Sequence, residues 1–220
     1  MFRSSYDRTY FNSVLYRTSA SSPRNARRLR LILSQRPGGV LLEIGCGKGH
    51  LMQVARAHFE VEGLEVSEAA TRGVEEELRQ RMRIGDVQQV DLPESHYDVV
   101  AAFNVLEHLA SPAVALARIG HALRPGGVLV GSVPMNHSLI GRAHTALTNI
   151  FDRTHCSTFT LAQWRRVFAG AGFTDQELFG EIQAGPNRAV YVRGPLWPHV
   201  SLNLMFVLKP SASAAQQPAA

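Results

Sequence analysis

Lysine is nearly missing from this chain. Only Lys48 and Lys209 occur among 220 residues, so arginine carries almost all of the positive charge. That scarcity reads as a compositional bias rather than a functional device. Cysteine is equally sparse: Cys46 and Cys156 are too few for a disulfide framework and lack the spacing of metal ligands. No apolar run approaches the roughly 18 residues of a membrane span. The opening Met1–Arg8 has no apolar core of the secretory kind, and a reducing cytoplasm is the expected setting. Internal repeats are absent.

What remains is ordinary for a soluble globular domain: 45% hydrophobic and 19% charged residues, enough chain for one sizeable core. The net charge of +5 is unevenly placed. Residues 1–36 hold eight arginines against one aspartate, a local balance of +7, and leave −2 for the rest. A basic arm suits nucleic acid, an anionic membrane face or an acidic substrate, and it is also what a solvated helix face looks like. The arginines carry no RNA-binding signature, so nucleic acid is not expected. Contact with a membrane surface through this arm stays open.

The stretch Val40-Leu41-Leu42-Glu43-Ile44-Gly45-Cys46-Gly47-Lys48-Gly49 organises the rest. An apolar run ends beside an acid, and three alternating glycines then lead into a helical pattern. This is the form of a buried parallel strand turning over a helix N-terminus. Glycine is needed there for positive φ or for close approach of a ligand to the main chain, and free N–H groups attract an anionic ligand group. The dinucleotide fingerprint places its third glycine one position later. This spacing, with Glu43 before the loop, instead resembles motif I of the class I S-adenosylmethionine (SAM)-dependent methyltransferases.

Later segments extend the resemblance. A strand over about 60–65 ends at Glu65, about 20 residues beyond Gly45, where a carboxylate can accept from two ribose hydroxyls at once. Met82–Val87 resembles the third strand with its adenine-facing acid, Asp86; a turn-forming Asp after Gly is the other reading. Tyr97–Phe103 is an apolar, β-branched central strand, and Asn104-Val105-Leu106-Glu107-His108 after it resembles motif IV. Some quinone-pathway relatives have a glutamate at the Asn104 position, in a metal cluster with the following Glu and His. That first acid is missing here, so no metal is expected. Glu107 and His108 then either support the loop or, in the case of His108, act in catalysis. The Leu123–Leu129 helix-turn-strand and the Asp152-Arg153-Thr154-His155 segment, followed by a helix over 161–171 and an Ala-Gly-Phe turn, resemble small-molecule methyltransferases of type 11/23.

The resemblance implies an α/β fold: a Rossmann-like, seven-stranded, mostly parallel sheet with helices on both faces and the last strand antiparallel. The resemblance covers roughly residues 25–209, and the expected organisation is an N-terminal arm (1–22), a methyltransferase domain (23–209) with an acceptor-site insert (135–160), and a disordered tail (210–220). The remaining expectations are helices over 23–35, 49–58, 68–79 and 111–123, and an irregular lobe over 184–200.

The cofactor implied is S-adenosyl-L-methionine. It would be bound by Glu43, Gly45, Cys46, Gly47, Gly49, Glu65, Val66, Asp86, Val87, Asn104, Val105 and Leu106. The acceptor would be a small molecule, or a glycan or lipid-linked intermediate, methylated at oxygen with His155 or His108 as base. A neutral imidazole suits that role because its pKa lies near working pH. The absence of an Asn-Pro-Pro-aromatic motif after strand four argues against base or amide methylation. A non-catalytic SAM-binding protein and an NAD(P)-dependent oxidoreductase are the rival classes. The second also requires a Tyr/Lys hydride-site pair, and none is found.

Overall fold

The computed structural model describes residues 19–135, 156–183 and 188–211. Most of the expected arm, most of the acceptor-site insert including His155, and most of the tail lie outside them.

Helix α1 (Pro23–Gln35) starts where the sequence predicts. Ser22 is its N-cap, with a side chain that accepts from the Asn25 amide, and Pro23 sits at the first helical position. Strand β1 (Gly39–Ile44) is buried along all but its first residue, which is why it reads as an uninterrupted apolar run. It pairs in parallel with β2 (Phe59–Glu65) on one side and β4 (Tyr97–Phe103) on the other. Helix α2 (His50–Ala55) joins β1 to β2, and the short β3 (Met82–Ile84) forms the edge beyond β2. Helix α4 (Pro112–Ala122) leads to β5 (Leu123–Pro134), which is parallel to β4.

After helix α5 (Leu161–Gly170), the chain forms β6 (Phe173–Gln183), β7 (Ala189–Val192), a single turn α6 (Trp197–Val200) and β8 (Asn203–Pro210). The strand order is β3-β2-β1-β4-β5-β8-β6-β7, with β8 antiparallel to both β5 and β6. The mostly parallel sheet with antiparallel C-terminal strands is as expected. One strand is additional: β7 pairs antiparallel with β6, inside the stretch read from sequence as irregular. Its four residues are flanked by Gly and Pro, which hid so short a run.

Two other expectations change. The helix foreseen over 68–79 is a 3-10 turn at Glu68–Thr71 and a short α3 (Glu76–Arg79). Gly73 between them takes φ +79°, a left-handed conformation that no helix continues through. The Arg124–Gly127 turn is absorbed into β5 as an irregularity, with Tyr97 opposite Leu123 but Val99 opposite Val128.

Alternation along the central strands sends side chains to two cores. Leu42, Ile44, Val100 and Ala102 pack under α4 and α5, through Leu116, Ile119, Trp164 and Phe168. Leu41, Val99, Ala101 and Phe103 pack under α1 and α2, through Leu31, Ile32, Leu51 and Met52. A capping box fixes the start of α5: Thr160 accepts from the Gln163 amide, and the Gln163 side chain accepts from the Thr160 amide. No helix among the described residues is long and apolar enough to cross a membrane.

Candidate cofactor and acceptor site

The carboxyl ends of β1, β2, β4 and β5 meet at one edge of the sheet, where open α/β sheets take their ligands. All three loop glycines have left-handed backbones, with φ of +68° at Gly45, +53° at Gly47 and +69° at Gly49. Their surroundings differ. A Cβ on Gly45 would lie 2.6 Å from Val105 Cγ2, and one on Gly49 would meet Met82 Cε at 2.5 Å. A Cβ on Gly47 would meet nothing within 4 Å. Gly45 and Gly49 are therefore required by packing as well as by φ, while the space over Gly47 is free for a ligand.

Glu65, at the end of β2, closes the loop from the other side. Its Oε2 accepts from the Gly47 amide at 2.9 Å and its Oε1 from the Ser67 amide at 3.0 Å. Burial raises the Glu65 pKa, and the hydrogen bonds from the Ser67, Gly47 and Val66 amides oppose that rise. Each carboxylate oxygen has a second lone pair, so the bracing role leaves acceptor capacity for ligand hydroxyls.

Glu43 lies one strand away and is also buried. Burial pushes its carboxyl up to about 8, opposed by the Arg28 charge and by the Met52 amide, which donates to it from the first turn of α2. Its Oε2 is buried with no hydrogen-bond partner, an acceptor or a proton held ready beside the glycine loop.

The other expected cofactor residues divide by which of their atoms face the edge. Cys46 is buried, and its thiol is pushed well up by burial. Its Sγ occupies the space a Cβ on Gly63 would need. Val87 and Leu106 also point into the core, so only their main chain is available at the edge. Val66 and Val105 are half-buried. Asp86 builds a turn: its Oδ1 accepts from the Gln88 amide at 2.9 Å, and both its oxygens lie within reach of Gln88 Nε2. The turn-forming reading of Asp86 is thus present, and the residue remains half-buried at the end of β3.

Asn104 takes φ +57° directly after β4, a conformation Asn tolerates better than most residues. The Ser132 hydroxyl lies 2.5 Å from Asn104 Oδ1, and the Asn104 amide donates to the Ser132 carbonyl at 2.8 Å. These contacts from β5 hold Asn104 exposed at the edge; sequence reasoning did not name Ser132. The next turn, Leu106–His108, buries Glu107, and its carbonyl accepts from the Cys156 and Ser157 amides. The Ser157 hydroxyl donates to the Leu109 carbonyl at 2.8 Å. The residues that follow His155 in sequence are thereby tied to the loop after β4. His108 is half-buried, with Nε2 4.0 Å from Glu107 Oε1.

Residues 16–178 match the family profile described as "Methyltransferase domain". The chain belongs to the SAM-dependent methyltransferase family. The chain is 32% identical over 148 residues to a probable S-adenosylmethionine-dependent methyltransferase of Mycolicibacterium smegmatis, covering 65% of the chain and 55% of that protein. It is 32% identical over 151 residues to a trans-aconitate 2-methyltransferase of Deinococcus radiodurans, covering 66% and 56% respectively. The chain thus spans about half the length of the curated relatives it matches. A SAM-dependent methyltransferase structure from Archaeoglobus fulgidus superimposes with a TM-score of 0.70 at 17% identity, over 89% of this chain and 96% of that one. At that identity the likeness bears on the fold alone, and it places the chain in the class I methyltransferase architecture.

Sequence reasoning also passed over the polar face of α1. Arg27 Nη2 lies 3.6 Å from Glu181 Oε1, and Arg28 sits over the Phe103 ring at 4.4 Å from its centroid. The signal was there in the spacing of Arg24, Arg27 and Arg28, which share one helix face. The read-out as a solvated face concealed it.

Proposed function

We propose that the chain transfers a methyl group from SAM to a small-molecule, sugar or lipid-linked acceptor, at oxygen. The observation that carries this reading is the Gly47–Glu65–Ser67 arrangement: a left-handed glycine with open space above it, braced by a buried carboxylate at the sheet's carboxyl edge. A bound sulfonium would supply an electrophilic methyl group. The residues present fit such a group: main-chain amides over Gly45–Gly49 for the carboxylate of the methionine part, Glu65 for the ribose, and Asp86 with the Val87 main chain for the adenine. Glu43 offers a buried acceptor beside the loop.

Asn104, Val105 and the main chain of Leu106 border the reacting centre in this reading. Their part is to position the acceptor and keep water away, since holding two reactants in line removes much of the entropic barrier. His155, or failing it His108, takes the proton from the acceptor oxygen as the new bond forms. Oxygen as the methylated atom is supported by the histidine in the acceptor-site insert and by the Asn104-Val105-Leu106-Glu107 sequence after β4.

Incubation of the purified chain with methyl-labelled SAM and a small-molecule extract tests the reading. Label in a product that base hydrolysis releases, or that carries a methyl ether, supports O-transfer. Binding of S-adenosylhomocysteine (SAH) without transfer to any fraction would leave a binder rather than an enzyme.

A further inference from the structure

The carboxyl edge extends beyond the cofactor strands to β8, β6 and β7. Pro134, the last residue of β5, pairs with Asn203, and Asn203 pairs with Glu181. The N-terminal half of α1 lies over this same level, since Arg27 approaches Glu181 and Arg28 covers Phe103, the residue before Asn104. A basic helix face therefore borders the space in front of Asn104.

Two polar groups of this cluster, Arg27 Nε and the Tyr191 hydroxyl, are buried without a hydrogen-bond partner. Arg27 Nη1 donates to the Pro23 carbonyl at 3.4 Å, and Nη2 is 3.6 Å from Glu181, beyond hydrogen-bond distance. Arg27 Nε is buried without a partner. Glu181 divides its carboxylate: Oε2 accepts from Asn203 Nδ2 at 2.9 Å, and Oε1 is the oxygen of the ion pair with Arg27. The Tyr191 hydroxyl, close enough to feel the Glu181 carboxylate and, more weakly, the charges of Arg27, Arg28 and Arg30, is buried without a partner as well. Its ring is fixed edge-on against Phe179 at 5.3 Å, so the hydroxyl is held in place. Orphaned buried donors of this kind are uncommon and call for an explanation. Guanidinium groups suit carboxylate and phosphate oxygens above other ligands.

We propose that Arg27 and Tyr191, backed by the positive face of Arg24 and Arg28, form an anion-recognition site for the acceptor, so that the methylated substrate carries a carboxylate or phosphate group. The site selects among acceptors by charge and leaves the cofactor loop to Gly45–Gly49 and Glu65. This inference deepens the methyltransferase reading and rests on it for the substrate's role. The anion site itself is testable without cofactor.

Calorimetric titration of the full chain at constant ionic strength, with and without saturating SAH, uses three probes: tricarballylate, glycerol 3-phosphate and uncharged glycerol. Saturable binding of either anion but not of glycerol is expected, and the preferred anion distinguishes carboxylate from phosphate. Arg27→Gln should weaken that anion at least tenfold while SAH affinity changes less than twofold. Tyr191→Phe, which removes one hydroxyl and keeps the packed ring, should weaken it at least threefold and guards against a folding defect in the arginine variant. No saturable anion binding, equal binding of glycerol, or anion affinity unmoved in both variants overturns the proposal. If the anion binds and SAH does not, the anion site stands and the SAM reading falls; if SAH binds and neither anion does, the reverse holds.

Discussion

The Glu65 carboxylate and the Gly47 amide are 2.9 Å apart, and with the Ser67 amide on its other oxygen Glu65 ties the glycine loop to the end of β2. One buried acid thus shapes the loop.

Glu65→Gln replaces one carboxylate oxygen with an NH2 donor, which must then face a backbone N–H. The loss of one hydrogen bond and the donor–donor contact should cost about 1–3 kcal/mol of stability. SAH affinity should fall at least about tenfold, or about 1.4 kcal/mol, by titration calorimetry. Unaltered SAH affinity in a folded variant would count against Glu65 as a cofactor ligand.

The three glycines should respond unequally. Gly47→Ala places a methyl in open space at φ +53°, and the left-handed backbone should cost about 1–2 kcal/mol. Its main effect should be on SAH binding. Gly49→Ala adds contact with Met82 and Leu78 to the same backbone cost, so overpacking of about 1–3 kcal/mol is added. Denaturant melts of the two variants beside SAH titrations give the comparison; equal stability in both would refute the packing argument.

Glu43 predicts a pH dependence. Its folded pKa, about 8, lies above the ordinary value of 4.5, so the native state holds the proton more tightly than the unfolded chain. The stability it contributes is fully present below about 4.5 and is lost as pH climbs through about 8. Glu65 is shifted in the same direction by burial and adds to the trend. Glu43→Gln keeps the neutral form at all pH values. It should flatten the profile and be more stable than the parent at alkaline pH by at least about 1 kcal/mol. Parallel profiles for the two proteins between mild acid and mild alkali would show that Glu43 titrates normally.

His155→Ala should retain SAH affinity and lose at least about tenfold in single-turnover methyl transfer. His108→Ala is the companion variant. Turnover unchanged in the first and reduced in the second would move the base role to His108, and turnover unchanged in both would leave proton removal to solvent.

Asp98 offers a structural control away from the carboxyl edge. Its Oδ2 accepts from the Val40 amide at 2.8 Å and from Arg124 Nη1 at 2.6 Å. Asp98→Ala should destabilise by about 1–3 kcal/mol through the stranded partners, while SAH affinity at neutral pH stays unchanged.

Much of the architecture was legible in the sequence because the central parallel strands β1 and β4 are buried on both faces and so are written as near-continuous apolar runs. Glycines at fixed offsets after β1 are equally legible, since only glycine enters the left-handed region without strain. Elements with weak local signals escaped: β7, four residues between Gly- and Pro-rich segments, and the helix that Gly73 breaks. In such stretches local preference is slight, and pairing with a neighbour decides the outcome.

The chain's own order of residues determined the family, the glycine loop, the acids Glu43 and Glu65, and the alternation that builds two cores around one sheet. Only the tertiary structure decided that Ser132 of β5 holds Asn104, that Cys46, Val87 and Leu106 turn their side chains inward, and that Arg27 meets Glu181 near Tyr191. The physical reason is range. Periodicity and backbone conformation are properties of neighbours along the chain. Burial, desolvation and unpartnered donors arise where segments distant in sequence are packed against one another.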